Sequence, residues 1–435
     1  MTDLPLIPQN PYRPDLNDDV ALAPFAGRQR AFEHLYQHLT DPAGAGVSVI
    51  LGRRDIGKSA LLRHFNSYFD DTFIGVYIGL KDRAIRSEAD WLEILALDTL
   101  QALGQRDFSL YRLPRPSREN GDMRKWLSEE YLADTFRIVR GRRLVWLIDD
   151  AGALIQWVRT EKLPDDHFEY LNGLVTQFRD LGMVLALDSR YETDIAALSP
   201  LARITDVYRL GNLTAAETTQ LMQQPVADQY HVSEEVAAAV HAATAGQPRL
   251  LQRIGARLYN QWETRPTLNT LTPEDVKNVA VVLRHDSNTD FQRFWDATAR
   301  NGRLVLAAVS RLLVQDPLTP IDTRAISAWL IESDYPLDMT AIHAAIRSLE
   351  YDEVVENSKQ GIRISSGLMQ TWLLEHAELQ AASSAPAAPS RRWFSLAAAA
   401  ALVVLIVLLA FIVSQQPQFA AAEAPPPTLT LVSAP

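Results

Sequence analysis

The run 52–59 reads G-x-x-x-x-G-K-S and constrains the fold more than any other part of the sequence. An apolar run, 47–50, precedes it, and a helical pattern follows it. Strand, glycine loop and helix in this order form a phosphate-binding loop, because backbone N–H groups and the helix N-terminus turn toward a polyphosphate. We expect Lys58 to reach the β- and γ-phosphates and to serve catalysis, and Ser59 to hold Mg²⁺. The predicted nucleotide-binding residues of this loop are Gly52, Asp55, Gly57, Lys58, Ser59 and Ala60.

Composition limits the alternatives. The 435 residues suffice for two to four domains, and 47% of them are hydrophobic. The absence of cysteine excludes disulfides and thiolate metal sites. A net charge of −11 argues against a broad nucleic-acid-binding surface, although a local basic patch stays possible. The N-terminus has neither the basic nor the apolar region of a secretory signal.

Short apolar runs alternate with helical patterns from Phe25 to about Asn212, which predicts an α/β fold with a parallel sheet covered on both faces. The predicted strands are Val47–Leu51, Phe73–Leu80, Leu144–Ile148, Val184–Leu187 and Val207–Leu210. The predicted divisions are an extended tail (1–23), a P-loop ATPase core (24–212), a helical lid (213–290), a winged-helix domain (291–380) and a flexible linker (381–392).

Two patterns place the lid and the winged helix. Thr214 followed by Glu217 is a capping box that begins the lid helices. Further along, helical patterns at 303–313, 323–331 and 339–349 precede two short strands, Glu353–Val355 and Gly361–Ile364. Three helices followed by a two-stranded hairpin predict a winged helix.

A transmembrane helix is predicted at 393–413, because its twenty residues 394–413 carry no charge and can span a bilayer. Arg391 and Arg392 precede it and no basic residue follows, so the positive-inside rule predicts that the N-terminal bulk is cytoplasmic and that a short tail, 414–435, lies outside. The competing interpretation is a buried helix of a soluble domain.

Polar residues end two of the apolar strands. Asp149 is predicted to hold Mg²⁺ and Asp150 to polarise the attacking water. Because the ends of parallel strands meet at one edge, Ser189 and Arg190 are expected to sense the γ-phosphate. Arg203 is a candidate arginine finger acting on a second copy, with a surface arginine as the alternative.

Two weaker signals flank the site. The segment from Phe25 to Arg28 contains Gly-Arg, which can bring backbone to the adenine while the arginine orders the nucleotide. Pro248 and Arg249 follow Gly246 at a helix break, where the proline can pack on the base and the arginine can reach phosphate. Because no base-reading Asn-Lys-x-Asp follows, ATP is favoured over GTP.

Taken together, these residues resemble the AAA+ class of P-loop ATPases, and more narrowly the STAND signalling ATPases and the origin-recognition ATPases. The resemblance covers about residues 24–376. It implies an ASCE-type core that holds ATP or ADP against the lid, with Mg²⁺ at Ser59 and Asp149. Two departures stand out: the chain lacks a counterpart of the winged-helix histidine that contacts ADP in many relatives, and a membrane anchor stands in place of C-terminal repeats.

Three functions are consistent with these sequence features. The first is a membrane-anchored ATP-driven switch, with slow or regulated hydrolysis, that a protein partner or self-assembly would read. The second is a DNA-binding ATPase of the origin-recognition kind, although the predicted recognition helix offers only His343 and Arg347 as polar reach. The third is an oligomeric ATPase that serves an envelope assembly process.

Overall fold

The computed structural model describes residues 9–12, 24–41, 46–116, 121–203, 206–264, 270–315 and 319–379.

A five-stranded parallel sheet occupies the centre of the amino-terminal half, as the five apolar runs predicted. Its strands are β1 (Val47–Gly52), β2 (Phe73–Gly79), β3 (Arg143–Asp149), β4 (Leu181–Asp188) and β5 (Val207–Arg209). They lie in the order β2-β3-β4-β1-β5. Every residue of β1 is buried. Helices on both faces of a parallel sheet explain why such strands read as continuous apolar runs.

Side chains alternate between the two faces of the sheet, and a separate apolar cluster fills each side. On β3, Val145 and Leu147 join one cluster, whereas Leu144, Trp146 and Ile148 join the other. The first cluster is covered by α1 (Gln29–Thr40), α2 (Lys58–Arg63) and α3 (Phe65–Tyr68). The second is covered by α4 (Glu88–Gly104), α5 (Met123–Lys125), a π-helical segment (Trp126–Leu132), α6 (Ala133–Val139), α7 (Gly152–Arg159) and α8 (His167–Gln177).

Five helices after β5 form what we call the lid: α9 (Ala215–Gln223), α10 (Glu234–Thr244), α11 (Pro248–Glu263), α12 (Pro273–Asp286) and α13 (Asn288–Ala297). The predicted capping box at the start of α9 is confirmed. The Thr214 hydroxyl accepts from the Glu217 N–H at 3.3 Å, and the Glu217 carboxylate accepts from the Thr214 N–H at 2.8 Å.

The remaining elements form what we call the C-terminal block: α14 (Arg300–Gln315), α15 (Thr323–Glu332), α16 (Met339–Tyr351), β6 (Val355–Ser358), β7 (Gly361–Ile364) and α17 (Gly367–His376). The predicted start of the first hairpin strand at Glu353 is wrong. Glu353 has a left-handed backbone (φ 53°), and its carboxylate accepts the Asn212 N–H at 2.7 Å. Glu353 and Asn212 are 141 residues apart in the sequence, so the local pattern that predicted a strand at Glu353 did not include this contact.

The lid and the C-terminal block share one apolar core, separate from the two clusters of the sheet. Members from both parts include Leu221, Val240, Ile254, Leu306, Ile342 and Trp372. Burial against a common core therefore ties these two parts to each other.

The described part of the N-terminal segment lies on the lid. Tyr12 is buried, and its hydroxyl donates to the Met222 carbonyl at 3.0 Å. The Asn10 amide donates to the Ala256 carbonyl at 2.9 Å. Gly255 makes room for the ring, since a Cβ there would lie 2.6 Å from the ring carbons of Tyr12. At least these residues of the predicted tail are thus held by specific contacts.

Across the residues that the structure describes, none of the helices has the length and apolar character needed to cross a membrane. The predicted linker (381–392), transmembrane helix (393–413) and external tail (414–435) lie outside those residues.

Candidate nucleotide-binding site

The glycine loop folds as the motif predicted, with Gly52 at the end of β1 and Gly57 as the N-cap of α2. Gly57 has a φ of 95°, which disfavours any residue with a Cβ. A Cβ on Gly52 would lie 2.9 Å from Ile56 and 3.0 Å from the Leu210 carbonyl. Close backbone packing therefore requires glycine at this end of the loop.

Lys58 is buried inside its own loop. Its Nζ donates to the carbonyl oxygens of Gly52 at 2.7 Å and Arg53 at 2.8 Å. Burial lowers the pKa of Lys58, and the nearby charges of Asp188 and Asp149 oppose this shift. The ammonium group is thus held among backbone oxygens, close enough to these carboxylates for their charges to act on it.

That acidic edge comes from strand register. Asp188 at the end of β4 pairs with Gly52, and Asp149 at the end of β3 pairs with Gly79. Because β4 lies between β1 and β3 and neighbouring strands are about 4.8 Å apart, β1 and β3 are about 10 Å apart across the sheet, and Gly52 lies further along it than Asp149. This spacing leaves room for phosphates and a hydrated cation between the loop and Asp149.

Asp149 and Asp150 have different surroundings. Asp149 is 3% exposed, and its Oδ1 accepts the Asp150 N–H at 3.0 Å while its Oδ2 accepts the Tyr77 hydroxyl at 2.8 Å. Asp150 has a left-handed backbone (φ 54°) and an exposed side chain. Partial desolvation and the charge of Asp149 raise the pKa of Asp150, an effect that solvent screening limits.

The donor set at this edge suits Mg²⁺. Ser59, Asp149 and Asp188 present only hard oxygen atoms, whereas the described ranges contain no group of three or more His, Cys, Asp or Glu that could hold a metal unaided. Mg²⁺ is ordinarily bound by one or two carboxylates together with waters and substrate phosphates. The residues therefore fit an ion that arrives with a nucleotide.

Ser189 and Arg190 begin the 3-10 helix Ser189–Leu198 that follows β4. The Arg190 side chain is 74% exposed, lies 3.9 Å from the Asp188 carboxylate and stacks over the Tyr191 ring. Among the charges that raise the pKa of Lys58, that of the neighbouring Asp188 has the largest effect. The sequence interpretation missed Asp188 as a site residue, although its place as the last residue of a buried strand was a usable signal.

Arg28 forms hydrogen bonds to three different parts of the protein. It is buried with a φ of 63°, and its guanidinium donates to the carbonyls of Gly211 at 2.6 Å and Ile56 at 2.7 Å. Its N–H donates to Glu217 at 2.6 Å. Arg28 thus joins the glycine loop, the end of the sheet and the lid. Phe25 stacks on His64 at 4.3 Å.

The lid reaches the glycine loop at the start of α11. The Arg249 guanidinium donates to Asp55 at 2.8 Å, and Pro248 occupies the first turn of α11 beside Gly57. Gly246 has a φ of 70°, and a Cβ there would overlap the Leu213 carbonyl. The backbone at this break is therefore fixed, and it directs Arg249 to the loop.

A pocket open to solvent lies where the loop, the lid and the C-terminal block meet. Arg53 and Asp55 line it from the loop, Arg249 from α11 and Glu353 from the C-terminal block. Glu353 also lies 3.5 Å from Arg53. The C-terminal block is therefore in direct ionic contact with the phosphate-binding loop.

The predicted residues thus fall into two groups. The structure brings Lys58, Asp149 and Asp55 into one region, and Ser59 and Ala60 follow Lys58 there at the exposed start of α2. Arg203 is exposed, and its N–H donates to Asp206 at 2.7 Å before β5.

Comparison with solved structures identifies the fold class of the chain. No protein-family model matches the chain, and no curated protein matches its sequence. Among solved structures, a Walker-type ATPase of Pyrococcus abyssi matches with a TM-score of 0.53 at 15% identity, over 80% of this chain and 96% of that chain. The chain therefore has the fold of Walker-type P-loop ATPases.

Two further structures match at lower TM-scores. The ORC2 protein of Aeropyrum pernix gives 0.42 at 14% identity, over 84% of this chain and 97% of that chain. Cdc6p from Pyrobaculum aerophilum gives 0.39 at 15% identity, over 84% and 96%.

Proposed function

We propose that this chain is a Mg²⁺-dependent ATPase that binds ATP between the carboxyl edge of the sheet and the lid. One observation carries the proposal: the buried ammonium of Lys58 is held on the Gly52 carbonyl, Gly52 pairs with Asp188 at the end of β4, and Asp149 ends the next strand, β3. Phosphoryl transfer depends on positioning and charge stabilisation rather than on covalent catalysis. A preformed cation beside two carboxylates meets that need.

Each residue then has a definite role. Lys58 exchanges its two carbonyl partners for phosphate oxygens, which are stronger acceptors because they carry charge. Ser59 and Asp149 would hold Mg²⁺, which when bound neutralises the charge that develops on the phosphates. Asp150, exposed beside them, orients the attacking water and takes its proton. Arg249 leaves Asp55 to reach a phosphate.

Calorimetric titration of ATP and ADP into the full chain tests this function. Lys58→Ala should weaken ATP binding by about tenfold or more, because charge-assisted hydrogen bonds are lost. Lys277→Ala is the matched control, since Lys277 is an exposed lysine of α12 that pairs only locally with Glu274. A Lys58→Ala protein that binds ATP as tightly as the parent would refute the assignment.

The contact between Arg53 and Glu353 favours a conformational switch over an enzyme that simply turns over. Glu353 lies in the C-terminal block and Arg53 in the glycine loop, so phosphates that attract Arg53 compete directly with that contact. ATP would then change how the C-terminal block sits on the core, and a partner or a second copy would read that change.

A DNA-binding ATPase remains the second candidate. The sequence α14–α15–α16 followed by the β6–β7 hairpin supports the winged-helix assignment, and α16 exposes His343 and Arg347 while the hairpin exposes Lys359. So few cations give a weak phosphate-binding surface. A gel shift that weakens steeply with salt would favour this candidate.

Membrane attachment through 393–413 belongs to the same proposal, with the N-terminal bulk cytoplasmic and the tail 414–435 outside. Its support is the uncharged run and the preceding Arg391 and Arg392. Alkaline extraction of membranes should leave the full chain in the pellet and release a chain ending at 392.

Turnover that rises with protein concentration and is abolished by Arg203→Ala would instead support an oligomeric assembly ATPase.

A further inference from the structure

Tyr77 makes a contact with the candidate metal-binding carboxylate that the sequence interpretation did not foresee. It lies on β2, and its hydroxyl donates to the Asp149 Oδ2 at 2.8 Å. The other oxygen of Asp149, Oδ1, accepts the Asp150 N–H at 3.0 Å. Each oxygen of this carboxylate therefore has one protein donor, which defines the plane of the group.

The reach of Tyr77 is built into the strand pair. Tyr77 pairs with Leu147, two residues before Asp149, so its ring must lean along the strand to meet the carboxylate. Gly79, which pairs with Asp149, leaves the space for this ring: a Cβ on Gly79 would lie 3.2 Å from the Cε1 of Tyr77. The Tyr-x-Gly spacing on β2 thus allows the Tyr77 hydroxyl to reach Asp149 at the end of β3.

Arg63, on the helix α2 that follows the glycine loop, contacts both the ring and the hydroxyl of Tyr77. The guanidinium of Arg63, in the last turn of α2, lies 4.3 Å from the ring centroid, and its NH2 donates to the Tyr77 hydroxyl at 3.2 Å. The hydroxyl accepts from Arg63 and donates to Asp149. Polarisation by the cation strengthens that donation, since hydrogen bonds in a chain reinforce one another.

We propose that Tyr77, supported by Arg63, is a positioning residue that sets the orientation of the Asp149 carboxylate for Mg²⁺. The inference rests on the proposed ATPase function and deepens it, because it links helix α2, which carries Lys58 and Ser59, to the metal ligand on β3. One lone pair of each Asp149 oxygen is used by these donors, and the remaining lone pairs stay free for the ion and its waters. Outer partners of metal-binding groups act in this way generally.

A purely structural hydrogen bond would have the same geometry, so the experiment must separate the two roles. The variant is Tyr77→Phe in the full chain, which removes one oxygen and keeps the ring. The matched control is Tyr131→Phe, because the buried Tyr131 hydroxyl donates to the Ala96 carbonyl on the other side of the sheet. Binding of Mn²⁺ to the nucleotide complex is followed by electron paramagnetic resonance, and nucleotide binding without metal by calorimetry.

Tyr77→Phe should weaken Mn²⁺ binding, and raise the Mg²⁺ concentration for half-maximal turnover, by about 10- to 100-fold. Metal-free nucleotide affinity should change by less than about twofold, since Lys58 and the loop backbone are untouched. Tyr131→Phe should lower thermal stability and leave Mn²⁺ binding unchanged. If Tyr77→Phe does not fold, Gly79→Ala, which crowds the ring, should shift Mn²⁺ binding in the same direction.

The outcomes separate this inference from the proposed function. A parent chain that binds no nucleotide refutes the ATPase function itself. A parent that binds Mn²⁺ with nucleotide, together with a Tyr77→Phe variant whose Mn²⁺ affinity is unchanged or higher, overturns only the role of Tyr77. Equal losses of Mn²⁺ affinity in Tyr77→Phe and Tyr131→Phe would show a general stability effect and would also overturn it.

Discussion

Removing the carboxylate of Glu353 should loosen the C-terminal block from the core. Glu353→Ala takes away the acceptor of the Asn212 N–H and the ionic partner of Arg53. A hydrogen bond to a charged group contributes about 1.5–3 kcal/mol. The ion pair adds no more than about 1 kcal/mol, because the Glu353 and Arg53 side chains are 39% and 23% exposed and the atoms are 3.5 Å apart.

Together these terms give about 1.5–4 kcal/mol, which corresponds to about 10- to 700-fold in the equilibrium between docked and undocked states. The Asn212 amide reports this equilibrium directly, because its N–H donates to Glu353. Hydrogen exchange of a peptide spanning 209–214 should therefore speed up in Glu353→Ala. ATP binding should strengthen by several-fold, since Arg53 becomes free to face phosphate.

Two variants test the reasoning. Glu353→Gln keeps an oxygen acceptor without the charge, so it should give roughly half the effect of Glu353→Ala. Glu356→Ala, at an exposed glutamate of β6, should leave exchange at 209–214 unchanged. If Glu353→Ala changes neither exchange nor ATP affinity, Glu353 does not hold the C-terminal block on the core. If Glu353→Gln behaves like the parent, the charge of Glu353 contributes nothing to that contact.

Three further predictions concern the lid. Tyr12→Ala should cost about 3 kcal/mol in urea denaturation because a buried ring is lost, whereas Tyr12→Phe should cost about 1 kcal/mol. Gly246→Ala combines a left-handed backbone with overlap of the Leu213 carbonyl, so a loss of about 3 kcal/mol and weaker ATP binding are expected. Burial would raise the pKa of Glu217, but hydrogen bonds from Thr214 and Arg28 outweigh it and lower that pKa. The resulting stability is present above about pH 4.3 and is lost as the pH falls through the lowered value, so urea midpoints of the parent and Glu217→Gln should converge between pH 7 and pH 3.

Sequence reasoning located the features that depend on neighbours along the chain. The five strands were predictable because a doubly covered parallel sheet buries every side chain, which leaves uninterrupted apolar runs. The loop 52–59 and the Thr214 cap were equally local, since spacing alone places their donors and acceptors. Local spacing therefore accounts for most of the sheet, for the glycine loop between β1 and α2 and for the helix cap.

The features that escaped prediction depend on partners far apart in sequence. The role of Arg28 toward a nucleotide stays a prediction, but its hydrogen bonds to Ile56 and Gly211, 28 and 183 residues away, were not foreseen. Glu353 was expected in a strand, yet a contact with Asn212, 141 residues away, sets its backbone. No periodic pattern records such contacts, because each involves a single side chain and a backbone atom of another element.

The common core of the lid and the C-terminal block has a mechanical consequence. Apolar packing joins these two parts to each other, whereas hydrogen bonds and ion pairs such as Arg249–Asp55 and Glu353–Arg53 join them to the sheet. Packed cores resist deformation, while polar contacts between partly exposed groups can be exchanged for contacts with phosphate or water. A rotation that begins at α11 would then move the lid and the C-terminal block together as one rigid body. The β6–β7 hairpin would be displaced with them, although it binds no nucleotide itself.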